Sequence, residues 1–216
     1  MKQVRISLFF LALLLLTMVA PFSTLESEAA GPNPVVIMET SMGRIIIQLY
    51  ADKTPITVKN FLQYVDDGFY NGTIFHRIVR QGTVEKPGQG MNVVQGGGFI
   101  KSMIAKRPPW GPIPIEDATG VDNSRGTIAM ARGGAPNSAT SQFFFNVYDN
   151  HMLNPAKQGN NLGTYTVTRH GYCAFGKVIR GMNIIDEMLK VKTGKRKQHQ
   201  NVPLKPIILK KVYRAR

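Results

Sequence analysis

Gly126-Thr127-Ile128-Ala129-Met130-Ala131 and then Ser141-Gln142-Phe143-Phe144-Phe145-Asn146-Val147 form the stretch that decides the fold. Both runs are short and rich in β-branched or aromatic residues, the pattern of strands. Successive side chains of a strand point to opposite faces. Phe143 and Phe145 therefore share one face, and Phe144 faces the other way. Upstream, Val35-Val36-Ile37-Met38-Glu39-Thr40 and Arg44-Ile45-Ile46-Ile47-Gln48-Leu49-Tyr50 flank Ser41-Met42-Gly43 and predict a β-hairpin. Thr54-Pro55 predicts a helix start, with Thr as N-cap and Pro in the first turn. Val58, Phe61, Leu62 and Val65 give that helix one apolar face, and Gly68 is placed to end it. Residues 73–79 read as a strand, 81–90 as a Gly-rich loop, and Asn92-Val93-Val94-Gln95 as extended chain running into Gly96-Gly97-Gly98. Downstream, residues 154–169 read as a polar loop and 172–178 as a strand. Residues 181–191 read as a second helix with Ile184, Ile185, Met188 and Leu189 on one side, and 206–213 as a last strand. Two helices are too few to cross between parallel strands. The order predicts a mainly β, antiparallel barrel or sandwich covered by two helices.

The 216 residues suit one domain, and 43% hydrophobic residues spread along the chain suffice for a core. The start reads differently. Lys2 and Arg5 precede an apolar run at residues 6–20, and Ser27 and Ala29 are small residues suited to cleavage after Ala29. The 15-residue run is shorter than the ~20 residues of a spanning helix. Residues 1–29 are expected to be a cleaved signal peptide, leaving a 30–216 domain exported to the periplasm. Cys173 is the single cysteine and reads as a small buried apolar residue. The net charge of +14 is concentrated at the end: no acid follows Glu187, while Lys190, Lys192, Lys195, Arg196, Lys197, Lys205, Lys210, Lys211, Arg214 and Arg216 do. This basic C-terminal region reads as a solvated edge or a weak contact for anionic lipid, without specific nucleic-acid binding.

Generic chemistry is sparse. His76, His151, His170 and His199 show no metal-ligand spacing, and neither a Gly-x-Ser-x-Gly elbow nor a P-loop occurs. No metal or cofactor is expected. The specific signal is a series of blocks: Phe75-His76-Arg77, Gln95-Gly96-Gly97-Gly98-Phe99, Gly126 to Ala131, Asn137-Ser138-Ala139-Thr140-Ser141-Gln142-Phe143-Phe144, and Phe175-Gly176-Lys177-Val178. In order and spacing they resemble the cyclophilins, and most resemble their exported bacterial branch. The resemblance runs from about residue 35 to 213. It implies a closed, antiparallel eight-stranded barrel capped by two α-helices, and peptidyl-prolyl cis/trans isomerase activity on proline-containing unfolded polypeptides.

Rotation about an X–Pro bond is slow because it destroys amide resonance, with a barrier of ~18–20 kcal/mol. No bond breaks, so the enzyme needs only to favour the twisted amide. The resemblance implies that Arg77 is catalytic, donating to the proline nitrogen as it regains a lone pair. It implies that Gln95 binds the substrate backbone, that Ala131 and Arg132 line the segment pairing with the extended peptide, and that Phe144, Met152 and Leu153 receive the proline ring. Tyr172 stands where the family often has His. His76 is read as a packing residue.

Three departures stand out. Seventeen residues separate Arg77 from Gln95, so residues 80–91 form an insertion. Asn92 and Val93 occupy the positions of a Phe-Met pair that supports the pocket, with Met91 as a substitute support. Met152 replaces a Trp, which implies weak cyclosporin binding. The chain is expected to be a monomer. The rival reading is a chaperone or scaffold that holds proline segments with little turnover. A third is a protein acting through its basic C-terminal region.

Overall fold

The computed structural model describes residues 33–81, 90–119, 121–159 and 165–215. The expected signal peptide at 1–29 and most of the insertion, residues 82–89, lie outside the described residues. The chain runs β1 (Val35–Thr40), β2 (Gly43–Leu49), α1 (Pro55–Asp66), β3 (Thr73–Arg80), β4 (Asn92–Ile100), β5 (Thr127–Met130), β6 (Phe143–Asn146), β7 (Ala156–Gly159), β8 (Tyr165–Arg169), β9 (Ala174–Arg180), α2 (Met182–Lys190), β10 (Thr193–Arg196), β11 (His199–Pro203) and β12 (Ile207–Arg214). Eight strands close into an antiparallel barrel in the order β1-β12-β3-β4-β6-β5-β9-β2. Closure removes the sheet edges that an open antiparallel sheet would leave unpaired.

The barrel interior is one apolar cluster. It includes Met38, Ile45, Ile47, Phe75, Ile78, Val94, Ile128, Phe143, Phe145, Phe175 and Leu209. Phe61, Leu62 and Val65 of α1 and Ile185, Met188 and Leu189 of α2 join the same cluster, so both helices bury their apolar faces on it. The period-2 reading of β6 holds: Phe143 and Phe145 point inward, and Phe144 belongs to a separate cluster outside. At the start of α1, Thr54 sits at the N-cap with Pro55 behind it, but its hydroxyl donates back to Tyr50 O at 3.0 Å instead of capping. The cap comes from sixty residues away. Glu116 accepts from Ile56 N at 3.2 Å and from Thr57 N at 2.7 Å, placing a carboxylate on the free N–H groups of the first turn.

Three expectations are corrected. β4 does not stop at the glycine run but continues through Gly96-Gly97-Gly98. The glycines are needed by closeness of packing: a Cβ on Gly97 would meet Phe143 and Tyr70 at 2.9 Å, and one on Gly98 would meet Gln142 at 2.5 Å. Residues 154–169 are not a loop throughout, because β7 and β8 pair as an antiparallel hairpin. Their composition is polar because both strands lie exposed, so no burial pattern marks them. The strand read at 172–178 begins two residues later, as β9. The basic segment after α2 is also folded, with β10 and β11 forming a hairpin over β3.

Candidate functional site

The site grows from an irregularity in β3. Phe75 pairs with Gly96 and Arg77 with Gln95, so His76 is an extra residue, a bulge. Without it, Phe75 and Arg77 would share a face. With it, Phe75 and Ile78 both point into the core while His76 and Arg77 stand outside. His76 is buried, its ring 4.5 Å from Phe99, which in turn contacts His199 of the β10–β11 hairpin at 4.8 Å. Its Nδ1 has no hydrogen-bond partner. Burial, reinforced by the neighbouring His199, pushes its pKa down to about 4, so the ring is a neutral packing group at neutral pH.

Arg77, partly buried, donates from Nη1 to Gln95 Oε1 at 3.0 Å, and Gln95 Nε2 donates to Gln142 Oε1 at 3.0 Å. Gln142 was not singled out by the sequence reading. It lies beside the Phe143-Phe144 pair, and the side chain passes over the bare backbone of Gly98, a closeness only the three-dimensional packing reveals. The chain of two amides fixes the guanidinium, with a second fork nitrogen beyond the Gln95 bond to offer a ligand.

The pairing register continues this row across the outer face: Arg77 opposite Gln95, Gln95 opposite Phe144, Phe144 opposite Ala129, and Ala129 opposite Ala174. Phe144 thus stands next to the polar pair, with small alanines on its other side. Around it lie Val79, Val93, Leu153, Met91, Val121, Ala131 and Tyr172 in one apolar cluster. The Tyr172 ring meets Phe144 edge-to-face, centroids 5.5 Å apart. Leu153 is buried on a short turn of 3₁₀ helix, whereas Met152 on the same turn is 46% exposed and stands at the rim. A groove of about 260 Å³ adjoins the row, lined by Gln95, Ala131, Arg132, Gly133, Ser138, Thr140 and Gln142. All the residues expected from sequence therefore gather on one outer face.

The positions of the missing Phe-Met pair are also explained. Val93 and Met91 both pack on the Phe144 cluster. Asn92 turns away into a buried amide network: its N–H donates to Asn150 Oδ1 at 2.9 Å and Asn150 Nδ2 donates to Asn92 O at 3.1 Å. Asn150 also donates to Asn146 Oδ1 at 2.7 Å, and Asn146 to Asn123 Oδ1 at 3.1 Å. Asn123 Nδ2 reaches Tyr172 O at 3.0 Å and Leu153 O at 3.2 Å, beneath the apolar cluster. The insertion leaves and rejoins the barrel at one point, since Gln81 N donates to Met91 O at 3.2 Å and Met91 N to Gln81 Oε1 at 3.1 Å. Among the described residues, no group of three or more His, Cys, Asp and Glu side chains is arranged to hold a metal ion.

Comparison with known proteins gives one consistent answer. The sequence pattern described as "Cyclophilin type peptidyl-prolyl cis-trans isomerase/CLD" matches residues 35–214. The chain is similar to a peptidyl-prolyl cis-trans isomerase of Acinetobacter baylyi, 44% identical over 183 residues, 85% of this chain and 86% of that protein. It is similar to peptidyl-prolyl cis-trans isomerase B of Escherichia coli, 43% identical over 178 residues, covering 82% of this chain and 98% of that one. The crystal structure of a Cryptosporidium parvum cyclophilin type peptidyl-prolyl cis-trans isomerase superposes with a TM-score of 0.63 at 24% identity, covering 85% of this chain and 98% of the other, a likeness of fold.

Proposed function

Since the chain belongs to the family of cyclophilin-type peptidyl-prolyl cis-trans isomerases, we propose that it isomerises X–Pro bonds with Arg77 as the catalytic residue, during the folding of exported proteins. The observation that carries the assignment of residues is the outward row Arg77–Gln95–Phe144, a fixed cation, an amide and an aromatic ring side by side on one surface. In this reading the proline ring enters the apolar cluster at Phe144, Leu153 and Tyr172, with Met152 at the lip. Gln95 holds the backbone carbonyl. The extended chain lies along the groove at Ala131 and Arg132. Planar conjugation withdraws the proline nitrogen's lone pair, and twisting returns it. A guanidinium beside that nitrogen therefore gains a hydrogen bond only in the twisted state. That bond, absent from both planar isomers, is the differential interaction that lowers the barrier.

The compartment belongs to the same proposal. Lys2, Arg5, the apolar run at residues 6–20 and the small residues Ser27 and Ala29 support export to the periplasm. There the clients would be unfolded polypeptides emerging from the inner membrane. The exposed Lys195 and Arg196 of β10, Lys197 in the following turn, and Lys210, Lys211 and Arg214 of β12 support weak contact with anionic lipid beside them.

The test is isomerisation of a short X–Pro peptide, followed by NMR exchange, with the 30–216 chain and its Arg77→Ala variant. Acceleration by the first and a loss of ~100-fold or more in the second is expected. A folded wild-type chain that binds the peptide without accelerating it would replace this reading with that of a holding chaperone.

A further inference from the structure

Residues 170–173 join β8 to β9 and belong to no strand, yet side chains from distant segments engage the backbone of the first three. Arg132 Nε donates to Gly171 O at 2.9 Å and Nη2 to His170 O at 3.1 Å, while Nη1 donates to Gly133 O at 3.1 Å and Gly134 O at 3.2 Å. Asp117, buried, accepts from Gly171 N at 2.7 Å and lies 3.2 Å from His170 Nδ1. Tyr172 N donates to Leu153 O at 2.9 Å, and Tyr172 O accepts from Asn123. A Cβ on Gly171 would stand 2.3 Å from Leu153 O, so the two backbones touch and the Leu153 and Tyr172 walls form one unit. The Arg132 guanidinium also lies over the Tyr172 ring, 4.9 Å from its centroid.

We infer that Arg132 and Asp117 are positioning residues: together they clamp residues 170–172 so that Tyr172 and Leu153 form a rigid wall for the proline ring. The inference rests on the isomerase reading above. Four carbonyls already occupy the Arg132 fork, so the side chain acts through Tyr172 and not by gripping the peptide. Only the planar fork can bridge carbonyls on both sides in this way; a lysine ammonium cannot. The wall matters because isomerisation turns one side of the amide against the other. A wall that yields follows the substrate and binds planar and twisted forms alike, which leaves affinity and removes rate.

The experiment measures peptide Kd and the bound-state isomerisation rate separately, by NMR titration and exchange, for Arg132→Gln, Arg132→Lys, Asp117→Asn, Tyr172→Ala and the Arg132→Gln/Tyr172→Ala double variant. Dispersed amide spectra verify folding of each, and Asp117→Asn, which retains an acceptor for Gly171 N–H, is the mildest. In Arg132→Gln the bound-state rate should fall about tenfold with Kd moving much less, since rate and affinity separate when only transition-state binding is lost. Arg132→Lys should recover little. In the Tyr172→Ala background the Arg132 change should add almost nothing, because residues acting through one another are non-additive. A weakened Kd at unchanged bound-state rate, or an undiminished Arg132 effect without Tyr172, would overturn the inference. If the wild-type chain itself accelerates nothing, the isomerase reading fails instead. The clamp is then decided by the Gly171 amide and the Tyr172 and Phe144 rings: their line shapes must change in Arg132→Gln, and unchanged spectra would overturn it.

Discussion

β3, β4, β6 and β5 present two faces built on opposite principles. Inward, Ile78, Val94, Phe145 and Ile128 lie in one register row and all belong to the apolar core. Outward, one step along, Arg77, Gln95, Phe144 and Ala129 form the neighbouring row, part polar and part apolar. The inner row needs only apolar side chains of suitable size. The outer row needs particular groups, each aimed by a bulge, a hydrogen bond or a glycine gap. On the proposed function, stability and activity lie on the two sides of one sheet, and adjacent residues should separate them.

Phe144 and Phe145 give the sharpest separation. Phe145→Ala empties a fully buried ring site and should cost ~3–5 kcal/mol of stability. The activity per folded molecule should remain near wild type. Phe144 is also buried but packs in the small outer cluster and not in the barrel core, so the stability cost of Phe144→Ala should be the smaller of the two. Its isomerase activity should fall about tenfold or more, as expected when an apolar wall of the pocket is removed. Urea unfolding and peptide exchange on the two variants check both halves. Equal losses of activity per folded molecule would erase the distinction between the faces.

His76 belongs to neither row and tests their boundary. Its depressed pKa means that between pH 6.5 and about 4 the unfolded chain binds a proton that the native chain refuses. Stability therefore rises with pH across this window. The His76 contribution is complete above pH 6.5, and up to about 3 kcal/mol of it is lost by pH 4. Denaturant midpoints measured from pH 7.5 to 4 should fall accordingly, and His76→Phe should flatten that part of the profile. An unchanged slope in the variant would remove His76 as the cause.

What the sequence disclosed follows the same division. The inner face was legible because alternation and apolar periodicity are local: Phe143 and Phe145 against Phe144, or Phe61, Leu62 and Val65 on α1, need no partner to be read. The outer residues Arg77, Gln95 and Phe144 were legible only through family resemblance, since nothing local distinguishes Arg77 from any strand arginine. Glu116 as the cap of α1, Gln142 over Gly98, and the Arg132–Asp117 clamp were not legible by either route. Each depends on a contact between segments far apart in sequence, and polar contacts of that kind leave no periodic trace. The β7–β8 and β10–β11 hairpins were missed for a related reason: paired strands with exposed side chains lack the apolar alternation by which strands are recognised.

Asn146 offers the smallest of the expected effects and the finest test. It ends the Phe143-Phe144-Phe145 run, falls by alternation on the face of Phe144, and is fully buried. Its side chain donates to Asn123 Oδ1 at 3.1 Å and Thr127 Oγ1 at 2.9 Å, and accepts from Asn150. Truncation leaves those partners buried without it, a cost of ~1–3 kcal/mol that a larger apolar residue would not recover. The network runs on from Asn123 to the carbonyls of Leu153 and Tyr172, so the loss should be felt in the walls of the pocket as well. Asn146→Ala is therefore expected to lower the unfolding free energy by that amount and to reduce isomerase activity about threefold, with peptide affinity little changed. The inner-face variant Phe145→Ala is the control: more costly in stability, yet without this reduction in activity per folded molecule. If Asn146→Ala lowers stability alone, the amide network supports the barrel end and the outer walls are held by the 170–172 clamp without it.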